Sequence, residues 1–415
     1  MPPVSDEEFS ALMAPLGPFE PAPRLAAAVS GGADSLSLAL LAARWARAQG
    51  GNLLALVVDH RLRPESGREA AETAARLAAH HIPARTLELM GLIRGPGLAE
   101  RARTARYSAL LDECRAQGIL HLLLGHHAAD QAETVIMRAL SASGPAGLAG
   151  MSGIVETTFV RLLRPLLTIP PVRLRETLIA AGVPWAEDPS NTDRAALRPR
   201  LRALRADRHG EGPATAGLVA AAAGAAQRRA EHERETAALL ARVTLRPEGF
   251  ALLDRPHFSA DLLGALVQAV SGAEFPPDTK SIAALASAPR PATLGGARLM
   301  AGGRMGGMLI VRETAAMQPP VPARPDTIWD RRFRLGQHAR LPADAMLGAL
   351  GDDAARMRRR SDLPAVVLRT LPAVRQGGQL IAVPHLDYPD AAIRTVVPVL
   401  FAPARPVATA PFFAA

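Results

Sequence analysis

The stretch Ser30-Gly31-Gly32-Ala33-Asp34-Ser35 decides how this chain folds around its ligand. It follows the apolar run at residues 25–29 and opens an amphipathic segment, so the order strand, glycine-rich turn, helix is predicted. Backbone N–H groups at such a helix N-terminus, together with the helix dipole, favour an anion. Gly31 and Gly32 permit positive φ and the close approach of a phosphate, and Ser30 and Ser35 add hydroxyl donors.

Asp34 is the unusual member of this stretch, because a carboxylate repels phosphates. A divalent cation between the two removes the repulsion, so Asp34 is a candidate metal ligand. The six residues also fit an ordinary strand–turn–helix junction with a serine or aspartate as N-cap. They are not a Walker P-loop, which needs a lysine, because the one lysine of the chain is the distant Lys280.

Length and composition predict a soluble globular protein. A chain of 415 residues forms two or three domains, and 48% hydrophobic with 21% charged residues is ordinary for this class. No uncharged apolar segment is long enough to span a bilayer, and the acidic N-terminus is not a secretory signal. The single cysteine, Cys114, excludes an internal disulfide and a Cys-x-x-Cys site, which fits a reducing cytoplasm.

The formal net charge of +9 is carried almost entirely by arginine. Arginine suits bidentate contacts with phosphate, so the balance favours a polyanionic partner. The alternative is that arginine simply replaces lysine throughout the chain. Clusters of arginine therefore carry more information than their number.

From about residue 24 to residue 165, apolar strand-like runs alternate with helical patterns. This alternation predicts a parallel sheet with helices on both faces and ligands at the carboxyl ends of the strands. The glycine-rich turn, Asp59-His60 and Gly125-His126-His127 follow three such ends. The predicted strands are residues 25–29, 53–58, 84–89, 120–124 and 159–163, and the predicted helices are residues 35–49, 66–80, 98–117 and 130–139.

The rest of the chain is predicted to be organised differently. A helix at 171–181, a polar loop, a run of arginines and a long alanine-rich helix at 214–242 precede a mixture of short strands and helices at 243–315. The proline-rich stretch 317–326 indicates a linker. The predicted fold class is α/β, with an N-terminal doubly wound parallel sheet, a mostly helical middle domain and a small α+β C-terminal domain. The predicted boundaries are 1–205, 206–318 and 327–415.

A second chemical stretch is Gly125-His126-His127-Ala128-Ala129-Asp130-Gln131-Ala132-Glu133-Thr134. Asp130 and Glu133 share a helix face near its N-terminus, where two carboxylates invite a metal or a substrate ammonium group. If the anion is a nucleotide such as ATP, His126 and His127 are candidates for binding it, for proton transfer or for holding an adenylated base. The alternative is that the carboxylates only cap the helix. The small residues at 143–151 predict a flexible loop beside the site.

The glycine-rich turn resembles the pyrophosphate-binding loop of the ATP pyrophosphatases, the PP-loop superfamily with an adenine nucleotide α-hydrolase-like fold. The chain as a whole resembles the tRNA(Ile)-lysidine synthetases, densely over residues 20–205. Residues 363–386 resemble the C-terminal domain of that family. The motifs that carry the resemblance, in family order, are SGGADS, VDHRLRPES, ARTARY, GHHAADQAET, SGPAGLAGM, RLLRPLL and EDPSNTD.

The resemblance implies a ligase that uses ATP and Mg²⁺ in the cytoplasm. The cytosine oxygen at the first anticodon position of tRNA(Ile) with a CAU anticodon is adenylated with release of pyrophosphate, and L-lysine then displaces AMP from carbon 2. A homodimer is a further expected partner arrangement, and no membrane is involved. Residues 356–360 and the arginine run after residue 193 are plausible tRNA contacts.

The resemblance also implies roles for individual residues. ATP is expected to bind at Ser30, Gly31, Gly32, Ala33, Asp34, Ser35 and His126, with Mg²⁺ on Asp34. The expected catalytic residues are Asp34, His127, Asp130 and Glu133, with the last two recognising lysine. Arg103, Arg106, Arg198 and Arg200 are expected to contact the adenylate or the tRNA.

Two departures from the family pattern leave alternatives open. Ala129 stands where the family usually has a first aspartate, and Ala196 with Arg198-Pro199-Arg200 replaces an aromatic residue and Arg-Asn-Arg. The alternatives are another PP-loop RNA-modifying enzyme such as a tRNA thiolation enzyme, a small-molecule ligase, or a non-catalytic RNA-binding protein with a decayed ATP site.

Overall fold

The structure, a computed structural model, describes residues 1–92, 95–141, 143–186, 201, 207, 210–254 and 258–408. The chain divides into two compact units, one from Met1 to His232 and one from Glu233 to Thr409. No helix in the described ranges is both long enough and apolar enough to cross a bilayer. The predicted boundaries near residues 205 and 318 stay predictions.

The first unit is built on a six-stranded sheet with strand order β3-β2-β1-β4-β6-β5, counted over the described residues. Neighbours are parallel except for β5, which runs antiparallel to β6 at the edge. The strands are β1 (Arg24–Val29), β2 (Asn52–Asp59), β3 (Ala84–Glu88), β4 (His121–Leu123), β5 (Ile154–Glu156) and β6 (Arg161–Leu163). The helices are α1 (Asp6–Met13), α2 (Ala33–Ala48), α3 (Ser66–Ala79), α4 (Leu98–Ala116), α5 (Ala128–Leu140) and α6 (Pro171–Ala180), and α7 (Pro213–Leu240) begins in this unit and ends beyond His232.

Alternate side chains of the central strands enter two different cores, which is why helices cover both faces of the sheet. Leu25 and Ala27 of β1 belong to a core with α1, α2 and α6, whereas Ala26 packs in a second core with Leu110 and Cys114 of α4. The predicted doubly wound parallel sheet is therefore confirmed.

The strand order reverses beside β1. The chain moves from β1 to β2 on one side, and β4 later pairs with β1 on the other side, with Leu25 opposite His121. In an open α/β sheet, ligands bind in the crevice outside the carboxyl ends of the two strands at such a switch point. The turn after β1 and the segment after β4 both lie there.

The second unit is dominated by antiparallel sheets, and three sheets are found among its described residues. A five-stranded sheet has the order β7-β8-β11-β10-β9 and packs against α8 and α9, while the others have the orders β12-β15-β16-β17 and β13-β14-β18. The proline-rich stretch that predicted a linker contains β12, which pairs with β15. The helices are α8 (Ala260–Ser271), α9 (Thr279–Ser287), α10 (Ala354–Met357), α11 (Ala365–Leu368) and α12 (Ile393–Val396). The strands are β7 (Val243–Arg246), β8 (Phe250–Leu253), β9 (Ala292–Leu294), β10 (Ala297–Ala301), β11 (Met308–Arg312), β12 (Val321–Pro322), β13 (Ile328–Trp329), β14 (Phe333–Leu335), β15 (Met346–Ala349), β16 (Pro372–Gln376), β17 (Gln379–Ala382) and β18 (Val399–Phe401).

Candidate active site

The turn between β1 and α2 is fixed by its own two serines. The Ser30 N–H donates to Ser35 Oγ at 3.1 Å, the two hydroxyl oxygens lie 3.2 Å apart, and Ser35 Oγ donates to the Gly32 carbonyl at 3.0 Å. Gly32 is the N-cap of α2 and has no side chain to occupy the first-turn N–H groups. The helix therefore begins with N–H groups available to an anion.

Glycine is required at two positions around this turn. Gly31 has φ +85°, and a Cβ there would come within 2.5 Å of Thr73 Oγ1 on α3. A Cβ at Gly125, directly after β4, would lie 3.2 Å from Ser35 Cα and 3.3 Å from the Asp34 carbonyl. The backbones that follow β1 and β4 thus pack against each other, and the first turn of α2 contacts the start of the β4–α5 connection.

His127 lies between two of the predicted carboxylates. Its Nε2 is 3.4 Å from Asp34 Oδ2 and 3.5 Å from Asp130 Oδ2. The His127 backbone N–H also donates to Asp130 Oδ2 at 3.2 Å, as part of a capping box that starts α5. His127 is buried, whereas the Asp34 side chain is 39% exposed. A ligand that enters the crevice therefore meets Asp34 first.

Asp130 and Glu133 both lie near the N-terminus of α5. Asp130 is 9% exposed and Glu133 is completely buried, and residues three apart share a helix face. The predicted sharing of one face is confirmed, and the pair has the chemistry to receive an ammonium group.

Ala129 points away from this face. It is buried, and a Cβ on Gly210 would meet Ala129 Cβ at 3.2 Å and Pro171 at the start of α6 at 2.8 Å. Position 129 therefore belongs to packing around α6. Ala129 replaces the aspartate that the family usually has there, and it is one of the two departures that left a decayed ATP site as an alternative.

The donor set around Asp34 fits a cation that arrives with phosphates. No group of three or more His, Cys, Asp or Glu residues that could hold a metal ion is found in the described ranges. Mg²⁺ is usually bound through one or two carboxylates together with substrate phosphates and water. The partly exposed Asp34, beside the N–H groups at the start of α2, suits that arrangement.

Two of the four predicted arginines, Arg103 and Arg106, lie among the described residues. Arg103 and Arg106 lie on α4, with their guanidinium carbons 5.1 Å and 5.7 Å from the centre of the Tyr107 ring. Burial lowers the pKa of Arg106. His126 is half-buried between β4 and α5. Arg198 and Arg200, the EDPSNTD loop and most of the arginine run lie outside the described residues.

Asp59 and His60 follow β2, at the same edge of the sheet. Burial raises the pKa of Asp59, but hydrogen bonds from Ser66 and the Arg61 N–H and the Arg61 charge bring it below its ordinary value. Burial, and then the charge of Arg106, lower the pKa of His60. Asp59 thus shapes the turn before α3, and His60 faces the arginines of α4.

Cys114 carries no thiol chemistry. It is fully buried in the core beneath α4, and burial together with the neighbouring Glu113 charge raises its pKa to about 12. A thiolate is the reactive form of cysteine, so this group stays protonated and inert at neutral pH. The tRNA thiolation alternative, which usually needs paired cysteines, gains no support.

The sequence did not single out the side chains that hold the loop from residue 143 to residue 151. The Gln131 amide donates to the Met151 carbonyl at 3.0 Å and accepts from the Met151 N–H at 2.7 Å. Arg138, seven residues further along α5, donates to the carbonyls of Gly147 and Gly150. The expected flexible loop is therefore fastened to α5. Gln131 and Arg138 are seven residues apart and therefore share one face of α5. This spacing was the sequence signal that could have indicated a common partner.

The fold and this crevice define a PP-loop ATP-binding domain, and the family model for the PP-loop domain matches residues 2–206. The tRNA(Ile)-lysidine synthase of Ruegeria pomeroyi is 35% identical over 88% of this chain and 89% of its own length. That of Mesorhizobium japonicum is 36% identical over 83% of this chain and 79% of its own length. The chain belongs to the tRNA(Ile)-lysidine synthase family.

Other relatives match about half of the chain. The tRNA(Ile)-lysidine synthase of Bradyrhizobium diazoefficiens is 45% identical over 204 residues, which are 49% of this chain and 56% of that relative. The chain thus covers little more than half the length of that relative.

Proposed function

We propose that this protein joins free L-lysine to carbon 2 of the cytidine at the first anticodon position of tRNA(Ile) with a CAU anticodon. ATP is consumed, and AMP and pyrophosphate are released. The observation that carries the proposal is the convergence of the phosphate loop, Asp34, His127 and Asp130 at the β1–β4 switch point. The relationship to enzymes of that name supplies the substrates.

The first step activates the base. The cytosine oxygen forms a bond to the α-phosphorus of ATP, and the bond to the β-phosphate oxygen breaks so that pyrophosphate leaves. The N–H groups at the start of α2 and the hydroxyls of Ser30 and Ser35 hold the phosphates, where preorganised donors stabilise the developing charge. Asp34 would hold Mg²⁺, which would neutralise charge on the triphosphate.

The second step installs lysine. A deprotonated amine of lysine forms the bond to carbon 2, and the carbon–oxygen bond breaks so that AMP leaves with the former cytosine oxygen. One proton is lost overall. Asp130 and Glu133 recognise the amino acid as an ammonium ion, and His127, between Asp34 and Asp130, is placed to accept the proton. Arg103 and Arg106 contact the adenylate or the tRNA.

The test is incorporation of radiolabelled lysine into a transcript of tRNA(Ile) with a CAU anticodon, with and without ATP. We expect label only with ATP, and none on a methionine tRNA that has the same anticodon. Asp34→Ala should reduce incorporation at least 100-fold, whereas Asp112→Ala, an exposed aspartate on α4, should leave it unchanged. Normal labelling by Asp34→Ala would refute the phosphate-loop assignment. ATP–pyrophosphate exchange with RNA but no label would leave adenylation intact and contradict lysine as nucleophile.

A further inference from the structure

The loop from Ala146 to Ser152 collects side-chain donors from three parts of the first unit. The Arg229 guanidinium on α7 donates to the Ala146 carbonyl at 3.1 Å, and Arg138 on α5 donates to the Gly147 carbonyl at 2.8 Å. Arg164, which follows β6, donates to the Ser152 carbonyl at 2.8 Å. Loop carbonyls thus bring guanidinium groups together that would otherwise repel one another.

Tyr107 extends this group toward α4. Arg103 and Arg106 lie over its ring, and Arg164 hydrogen-bonds its side chain. Arg164 is 8% exposed, and its buried Nε has no partner among the described residues. Arg103 is exposed, whereas Arg106 and Arg138 are half-buried.

The charges in this cluster are not neutralised from within. In the described ranges, the guanidiniums of Arg103, Arg106, Arg138 and Arg164 form no ion pair with a carboxylate, and their contacts are carbonyls, Tyr107 and one another. Burial lowers the pKa of Arg164 most, and the charges of Arg103 and Arg138 lower it further. Partly buried charges are normally paired, so an unpaired cluster of cations points to an anion from outside.

Arg103 and Arg106 lie on α4, which packs in the core on one face of the sheet. The phosphate loop leads into α2, which packs on the opposite core. Two groups of phosphate-binding donors, carried by helices on opposite faces of the sheet, suit two different ligands. ATP occupies the loop, and the second ligand with many phosphates in the proposed reaction is the tRNA.

We propose that Arg103, Arg106 and Arg138, held over Tyr107 and the buried Arg164, form a binding site for a backbone phosphate of the RNA substrate, separate from the phosphate loop. This inference rests on the proposed function and deepens it. The site holds the nucleotide chain beside the crevice, so that the target base reaches the α-phosphate. Arginine is suited to this contact because its planar group binds phosphate in a bidentate way.

The experiment measures binding of the unmodified tRNA(Ile) transcript against salt concentration. Each lost phosphate contact reduces the slope of log K against log salt by about 1. We expect Arg103→Gln and Arg138→Gln each to weaken RNA binding about tenfold and to lower the slope by about 1, while the affinity for ATP alone is unchanged. Arg138→Lys should keep the slope, because it keeps the charge.

The matched control is Arg115→Gln. Arg115 lies on the same helix, over the Phe159 ring, about 18 Å further along the axis from Arg103 at 1.5 Å per residue. The Arg115→Gln substitution removes the same charge and should leave the slope of log K against log salt unchanged. An unchanged slope in Arg103→Gln and Arg138→Gln would overturn the inference, and a loss of ATP affinity with an unchanged slope would assign the cluster to ATP. Wild-type protein that binds the transcript but incorporates no lysine would contradict only the proposed function.

Discussion

Gly31 is the residue at which the phosphate loop has least room. Its φ of +85° disfavours any side chain, and Thr73 Oγ1 would lie 2.5 Å from an added Cβ. Thr73 is itself fixed, because its hydroxyl donates to the Glu69 carbonyl at 2.8 Å. A larger residue must therefore displace either the loop or α3.

We predict that Gly31→Ala reduces kcat/KM for ATP at least 100-fold, because the loop N–H groups move away from the phosphates. The measurement is ATP-dependent lysine incorporation at varied ATP, with thermal unfolding of the same variant. Gly118→Ala is the matched control, since Gly118 has φ +64° but nothing within 4 Å of an added Cβ. It should cost about 1–3 kcal/mol of stability from backbone strain alone and leave kcat/KM unchanged. Equal kinetic losses in both variants would show that the contact with Thr73 is irrelevant.

At the scale of elements, the parts of the fold that the sequence predicted are those fixed by local patterns. The ends of α3 and α4 agree with the prediction within one residue, because α3 is amphipathic and Gly97 and Gly118 flank α4. β5 was not predicted, since its three residues are half-buried or exposed and its order is set only by pairing with β6. The partners of Arg138 and Arg164 are carbonyls of one loop. Every residue has a backbone carbonyl, so the sequence alone does not predict which carbonyls these arginines contact.

Helix α5 carries Asp130 and Glu133, which are proposed to bind lysine. Its Gln131 also holds the loop at residues 143–151. Gln131 holds both the N–H and the carbonyl of Met151, and a Cβ on Gly150 would meet the Gln131 amide at 2.7 Å. We predict that Gln131→Leu raises KM for lysine about tenfold, because α5 loses its brace while Asp130 and Glu133 remain present. Steady-state kinetics at varied lysine and saturating ATP measure this.

The control on α4 is Gln117→Leu, which removes the hydrogen bond from the Gln117 amide to Glu113 and should leave KM for lysine unchanged. Gly150→Ala should damage the wild-type protein more than the Gln131→Leu variant, because the clash needs the glutamine side chain. Additive effects of the two substitutions would contradict a shared contact.

At the scale of the whole molecule, the second unit is held together by a buried charged group. Asp330 accepts two hydrogen bonds from Arg312 at the end of β11, both at 3.0 Å, and one from Arg332 Nε at 2.8 Å. Arg332 also donates to the Gly249 carbonyl before β8 at 3.3 Å. The five-stranded sheet is thereby tied to the segment between β13 and β14, across the predicted linker. Residues on both sides of that stretch therefore belong to one unit.

We predict that Asp330→Asn destabilises the second unit by about 3–5 kcal/mol, because removing one partner leaves buried charge uncompensated. Both guanidiniums lose their carboxylate, and burial already lowers the pKa of Arg332 to about 10. Denaturant unfolding should then show an early transition of the second unit, while ATP binding by the first unit persists until a later one. The control Asp387→Asn breaks an exposed ion pair with Arg394 and should cost at most about 1 kcal/mol. If Asp330→Asn instead lost ATP binding and its second-unit signal in a single transition, the two units would unfold cooperatively, and the expectation of two separate transitions would be wrong.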